Sequence, residues 1–336
     1  MAASLRVLRR RIKSTKNIAQ ITKAMEMVAA SRISKAQARV EAARPYSDEF
    51  THVLATAARA GASDHPLLVA REEPSRVGVL VVTSDRGLAG GYNAGVLREA
   101  ERVLRQVRED GKEPVLFVIG GKGETYFRFR KQEIAGSWTG FSEVPDYANA
   151  SHAADTMTAC FLAGGEETVQ RPSEDDDSEG SSSNASSFLP PEDAEGLDGV
   201  DELQVVFTEF TSVASQTVMS RQIAPLQLDE QSEESSDSDG SGSGDGEERQ
   251  AEYDFEPEPE VLFDRLMPKY IRARVFAALL DAAASESAAR QRAMKAATDN
   301  ANDLVDNLTR QSNQARQAQI TQEISEIVSG SDALAQ

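Results

Sequence analysis

Residues 2–44 and 269–329 contain neither glycine nor proline. Few chains go so far without the two residues that punctuate turns, and each stretch exceeds the usual length of a globular helix. Each therefore reads as one long helix, reaching roughly 65 Å and about 90 Å at the α-helical rise. In the first, the apolar side chains group as Leu5, Leu8, Ile12, then Ile18, Ile21, Met25, Val28, then Ile33, Ala36, Val40, Ala43. Steps of three and four place each group on one helical face. The jumps between groups predict a stripe that drifts through stutters, not a strict heptad seam. Pro45 is expected to kink this helix, with "SDEFTHVLATAARA" resuming it until Gly61. In the second, a 3.5-residue register runs through Phe276, Leu280, Ala283, Ser287, Arg290, Met294, Ala297, Ala301, Leu304, Leu308, Gln311, Ala315, Ala318 and Gln322. Ten of these fourteen are apolar, the pattern of a coiled coil. The alanines of the seam predict close approach of the partner helix.

Between the two lies a stretch of different period. "VGVLVV", "PVLFVIG" and "DELQVVFTEF" read as strands, "TVMSRQIAPLQL" as a fourth, and "AGVLREAERVLRQVRE" and "DYANASHAADTMTACFLA" as helices. Alternation of this kind predicts a mostly parallel sheet. The expected fold is thus an antiparallel coiled coil of the terminal helices, with a central Rossmann-like α/β domain at one end. The boundaries are 1–60 for the first shaft helix, 76–228 for the α/β foot, 229–260 for an acidic loop and foot segment, and 261–336 for the second shaft helix.

The formal net charge of −19 is not spread evenly. Segment 165–200 carries −10 and segment 229–260 carries −13, leaving +4 for the rest. Both are rich in Ser, Asp, Glu and Gly and offer too little apolar surface to offset ordering entropy, so both are expected to be disordered or mobile. The first 50 residues hold eleven Lys/Arg against four acids. A basic helix of this kind can be a solvated face, a shaft in an acidic cavity, or a binder of lipid heads or nucleic acid; the absence of interleaved aromatics and the overall acidity argue against nucleic acid. The helical pattern starts at once and runs without a cleavage-like site, so "MAASLRVLRRRIKS" reads as helix and not as a transit peptide. Cys160 is the only cysteine, which excludes an intrachain disulfide. His52, His65 and His152 share no metal-ligand spacing, and no metal is expected. No apolar run approaches the ~20 residues of a membrane span.

One loop invites a catalytic reading. "VVTSDRGLAGGYN", residues 81–93, places Gly87, Gly90 and Gly91 between a strand and a helix, as phosphate-cradling loops do. The spacing fails the dinucleotide fingerprint, and "GGKGET" at 120–125 fails the phosphate-loop pattern. The glycines are better read as allowing positive φ and close backbone approach, with Asp85 and Arg86 capping or pairing locally. No nucleophile–base arrangement occurs elsewhere, so no catalytic residue and no cofactor are expected.

"ITKAMEMVAASR" from Ile21 and "AARQRAMKAATDNANDLVDNLTRQSNQARQAQITQEISEIVSG" at 288–330 resemble the gamma subunits of F-type proton-translocating ATP synthases. Ile320, Thr321, Glu323, Glu326, Gly330 and Ala333 fit that family's C-terminal signature, with Ser331 where alanine is usual. "SDRGLAGGYN", "YDFEPEP" and "MPKYIRARVF" also look like family segments, and the resemblance covers nearly everything outside the two inserts. It implies a non-catalytic central rotor stalk, one copy per complex. Such a stalk transmits torque between the membrane ring of c subunits and the catalytic ring of alpha and beta subunits, and it binds the epsilon subunit. Carried over by position, Lys23, Met25, Glu26, Glu286 and Arg290 should face the beta-subunit levers. Arg316, Gln317, Thr321 and Glu323 should catch the beta subunits, and Tyr253, Phe255 and Glu256 should meet the c ring. The implied location is the cytoplasmic face of a bacterial membrane. The competing reading is a nucleotide-binding α/β enzyme with coiled-coil arms.

Overall fold

The computed structural model describes residues 2–59, 67–170, 188–226 and 259–334. Five helices and five strands follow in the order α1 (Ala2–Arg59), β1 (Arg76–Val82), α2 (Tyr92–Glu109), β2 (Glu113–Ile119), α3 (Gly121–Phe129), β3 (Gly136–Trp138), α4 (Tyr147–Ala163), β4 (Glu202–Phe210), β5 (Gln216–Ala224) and α5 (Pro259–Leu334). The sheet order is β3-β2-β1-β4-β5. The first four strands are mutually parallel, and β5 runs antiparallel to β4. From β1 the chain moves outward through β2 to β3, then crosses back to lay β4 on the other side of β1. Right-handed crossovers therefore put α2 and α3 on one face and α4 on the other.

The physical reason for β1 is plain. Val77 to Val82 are all buried, as a central parallel strand covered on both faces requires. Gly78 keeps that strand close to its neighbour: a Cβ there would stand 2.8 Å from Leu203 Cδ2. The core continues through Phe117, Ile119, Met157, Phe161 and Phe207 to Phe263, Ile271 and Leu279 of α5, with Leu54 of α1. Arg272 of α5 grips Asp155 of α4 in a bidentate pair, Nη2–Oδ2 2.9 Å.

Sequence pattern missed two elements, α3 and β3. Each is short, and a nine-residue helix opening on "GKG" has little propensity of its own. Neither proline ends its helix: Pro45 lies within α1, and α5 begins before Pro268. Around Pro268 the helix is held by burial of Phe263, Met267, Tyr270 and Ile271, which offsets the lost backbone donor.

Segment 165–200 is not uniformly loose, as its composition suggested. Residues 165–170 and 188–200 are packed: Val169, Ala194 and Val200 are buried, and a bridge joins Thr168 to Asp198. Only 171–187 fall outside the described residues there. The limbs are pinned by Asp201, whose carboxylate accepts from Arg71 Nη1 at 2.6 Å and from the backbone N–H of Ser75, Arg76 and Gly165 at 2.7, 3.0 and 2.9 Å. Burial opposes the charge, but these donors outweigh it and hold the Asp201 pKa well below the usual carboxylate range. The acidic segment 229–260 lies almost wholly outside the described residues.

The chain divides into two compact units. One is Met1–Ser34 with Leu88–Gly90 and Ser287–Gln336; the other is Lys35–Gly87 with Gly91–Glu286.

Candidate functional site: the shaft and the glycine loop

In the first unit the N-terminal half of α1 pairs with the C-terminal half of α5. The covered and half-covered residues of α1 in this unit are Leu5, Leu8, Ile12, Thr15, Ala19, Thr22, Met25, Glu26, Ala29, Ala30, Arg32 and Ile33. From Leu5 to Thr22 the steps alternate between three and four, as in a heptad seam, and the jump expected between Ile12 and Ile18 is absent; beyond Thr22 the covered face broadens. Ile18, Ile21 and Val28, assigned to the seam by their bulk, are instead 51%, 59% and 54% exposed. Small residues took their places. The Thr15 and Thr22 hydroxyls donate back to the Arg11 and Ile18 carbonyls, so they can be covered without an unmet donor, and their size lets the helices close.

In the α5 seam Met294, Ala301, Leu308 and Ala315 hold the expected register, but the alternate positions are displaced by one residue. Thr298, Val305, Ser312 and Gln319 are more covered than Ala297, Leu304, Gln311 and Ala318. The cause is visible at Thr298, which donates to Met294 O at 2.9 Å and meets Thr22 Oγ1 at 2.7 Å. This cross-tie sits twelve residues from Ser34 and eleven from Ser287, the unit's two boundaries, as antiparallel pairing demands. Leu88–Gly90 joins this unit: Gly90, at φ +57°, would direct a Cβ to 3.5 Å from the Ala293 Cβ.

The rest of the glycine loop belongs to the second unit, and here the positive-φ expectation fails in part. Gly87 and Gly91 have ordinary φ, whereas Leu88 adopts φ 64°. Of the two roles expected for Asp85, capping and local pairing, it takes the first. Its carboxylate reaches across to the N-terminus of α3, accepting from Gly121 N at 3.0 Å, and to Ser142 N at 2.9 Å. Ser84 O accepts from Lys122 N at 3.0 Å and Thr83 Oγ1 from Gly123 N at 2.9 Å. The donors that a phosphate would need at this helix start are thus all taken by the β1 loop. Burial raises the Asp85 pKa, but the N–H groups of Gly140, Ser142 and Gly121 prevail and lower it.

Open α/β sheets bind ligands where the strand order reverses, here between the C-terminal ends of β1 and β4. At this end of β4, Ser285 of α5 donates to Thr208 O at 3.1 Å. Within this unit the chain's own helix therefore stands beside the end of β4, where α5 is buried from Ala282 to Glu286.

The residues singled out from sequence fall into three groups. Lys23, Arg316, Gln317, Thr321 and Glu323 are exposed, and Met25 and Glu26 are half-buried, with Lys23 Nζ 3.1 Å from Glu26 Oε2. Glu286 and Arg290 are 1% and 6% exposed. The chain's own atoms cover both. Tyr253, Phe255 and Glu256 lie outside the described residues. What sequence reasoning missed is the outward apolar set, Val7, Ile18, Ile21, Val28, Leu304, Ile320, Ile324 and Ile327; once the heptad is indexed, most of these fall off it. Among the described residues no cluster of His, Cys, Asp and Glu could hold a metal, and no helix is long and apolar enough to cross a membrane. Cys160 is buried, and burial, with Asp198 nearby, pushes its thiol up to about 12.

Comparison with known proteins agrees with this geometry. The family described as ATP synthase matches residues 4–334. The ATP synthase gamma chain of Mycolicibacterium vanbaalenii is 53% identical over 100% of this chain and 99% of its own length. That of Saccharopolyspora erythraea is 52% identical over 99% of this chain and 98% of its own. Among solved structures, a chain of the Euglena gracilis mitochondrial ATP synthase aligns with a TM-score of 0.62 at 17% identity, covering 99% of this chain and 95% of that one. A central stalk/c-ring structure from Tetrahymena thermophila gives 0.52 at 19%, covering 82% and 99%. At such identities the structures speak for the fold alone.

Proposed function

This chain belongs to the ATP synthase gamma family, whose member is a non-catalytic stalk subunit, and from that premise we propose how it works as the central rotor. The shaft transmits torque between a membrane ring of c subunits and the catalytic ring of alpha and beta subunits, with epsilon bound to the α/β unit. It does so as one copy, peripheral to the cytoplasmic face of a bacterial membrane.

The observation that carries this reading is the outward apolar set on the shaft. A two-helix pair spends its seam on itself. It leaves Ile18, Ile21 and Val28 on α1 and Ile320, Ile324 and Ile327 on α5 facing solvent. Exposed apolar side chains at two levels of a thin shaft suit burial by a partner protein, and a sleeve formed by the catalytic ring would cover them. Polar Arg316, Gln317, Thr321 and Glu323 beside it can make and release contacts at successive angles. The nucleotide-enzyme reading is not favoured: no phosphate fingerprint is present, Asp85 and Ser84 occupy the α3 N-terminus, and Ser285 of α5 stands beside the end of β4.

Two experiments test the proposal together. The chain should co-purify with alpha, beta and epsilon subunits. Met25→Lys should lower the ratio of protons pumped to ATP hydrolysed in membrane vesicles, because it adds a cation beside Lys23 and Glu26 at the proposed beta contact. A chain that stays alone, or an unchanged ratio in the variant complex, refutes the respective claim.

A further inference from the structure

Trp138 Nε1 donates a hydrogen bond to His152 Nδ1 at 3.0 Å, and His152 Nε2 stands 3.4 Å from Asp193 Oδ1. Three segments of the second unit meet at this imidazole. Trp138 ends β3, His152 lies in the second turn of α4, and Asp193 sits in the single 3-10 turn Glu192–Ala194. An indole N–H can only donate. Nδ1 is therefore the bare nitrogen of the neutral ring, whose proton sits on Nε2, toward Asp193.

The neighbours of His152 differ in freedom. The Trp138 indole stacks on Phe117, ring centres 6.3 Å apart, and a Cβ at Gly136 would stand 2.7 Å from Trp138 Cη2. Pairing with β2 fixes its backbone. His152 and Asp193 are about half exposed, 49% and 54%, so they can shift where the indole cannot. Protonation puts a second N–H on the ring, facing the indole N–H, and two donors cannot bond. The same proton places a positive charge opposite Asp193. Other groups on the packed elements do not compete for it. Asp155, one turn on along α4, is held by Arg272 of α5, Nη2–Oδ2 2.9 Å, and Tyr147 turns to the Phe276 ring. Beside Asp193 in its turn is a second acid, Glu192, and β3 carries no charged residue.

We propose that His152 is a pH-responsive switch in the α/β unit: neutral, it ties α4 to β3 through Trp138; protonated, it releases Trp138 and pairs with Asp193, drawing the turn Glu192–Ala194 toward α4. That turn belongs to residues 188–200, the returning limb of the first acidic segment, so the switch sets how firmly the limb is held. The limb has a seat to be drawn into, since Ala194 is buried and Gly196 N donates to Val169 O at 2.9 Å. The proposal concerns the α/β unit alone and stands apart from the stalk reading.

The test uses the full chain labelled with ¹⁵N-tryptophan. Trp138 is the only tryptophan, so the single indole N–H resonance reports this hydrogen bond without assignment. The resonance should move through one transition between about pH 8 and pH 5, the range in which histidine ordinarily changes charge. In His152→Gln the transition should vanish, because the amide oxygen can accept from Trp138 and the amide N–H can face Asp193 without titrating. In Asp193→Asn the midpoint should move to lower pH, since the anion that favours the imidazolium is gone. A resonance that does not move, or that moves equally in His152→Gln, overturns the switch; an unchanged midpoint in Asp193→Asn overturns the exchange of partners. Hydrogen exchange reads the limb itself. After correction for intrinsic rates, amides of residues 192–200 should exchange roughly two- to fivefold more slowly in acid than at neutral pH, the measure of a half-exposed ion pair, and this difference should be absent in His152→Gln. Equal slowing in both chains overturns the claim that His152 draws the turn inward.

Discussion

The Asp85 carboxylate accepts a hydrogen bond from the backbone N–H of Gly121 at 3.0 Å, joining the β1 loop to the first turn of α3. A side-chain anion thus occupies the helix start that related folds offer to a phosphate. Gly120, just before it, has φ +101°, and a Cβ there would overlap the Thr83 carbonyl. Gly111 also has positive φ, 79°, but faces open space. Gly120→Ala should therefore cost about 4 kcal/mol or more, since backbone must move, whereas Gly111→Ala should cost only about 1–2 kcal/mol of left-handed strain. Urea unfolding of the two variants side by side checks the contrast; equal losses would mean that the close approach to Thr83 does not matter.

Asp201→Asn removes the anion from Arg71 and three backbone donors. With Arg71 partly exposed, the loss at neutral pH should be about 2–4 kcal/mol, at or below the range for breaking a buried pair. The Asp201 pKa is lowered on folding, so its contribution is full above the unfolded carboxylate value and fades as pH falls below it. The stability gap between wild type and Asp201→Asn should be constant from pH 5 to 8, near the plateau set by an unfolded pKa of about 3.9, and should narrow in acid. Chemical denaturation at several pH values reads it; a gap that widened in acid would be inconsistent with this arrangement.

Cys160, with its thiol pushed up to about 12 and its side chain buried, should resist alkylation at pH 8 in the native chain and react once unfolded, because the thiolate is the nucleophile. Mass spectrometry with iodoacetamide gives a simple readout, since the chain has one cysteine.

Thr22 and Thr298 should be coupled. Replacing either with valine removes half of the 2.7 Å contact, and a double-mutant cycle on shaft stability should return about 0.5–1.5 kcal/mol. Ile21→Ser, by contrast, should change the isolated chain by no more than about 0.5 kcal/mol and yet impair assembly, if Ile21 is covered by the catalytic ring. A strong effect on the isolated chain would place Ile21 back in the seam.

The sequence by itself determined the two long helices, the strands β1, β2, β4 and β5, the absence of a phosphate fingerprint, and the family. These are properties of local pattern: runs without Gly or Pro, apolar strands, and a string of residues matched in order. Tertiary structure decided which face of each long helix turns inward. Hydrophobicity alone chose Ile18, Ile21 and Val28, yet Thr15, Ala19 and Thr22 form the seam, because close helix packing rewards small side chains whose hydroxyls can bond to their own backbone. It also decided that Val169, Ala194 and Val200 anchor the limbs of an acidic insert whose composition looks uniformly soluble, since a few buried contacts and one well-bonded carboxylate, Asp201, outweigh the average of the segment. And it decided that Glu286 and Arg290 lie inside, a fact of packing between distant segments that no spacing along the chain encodes.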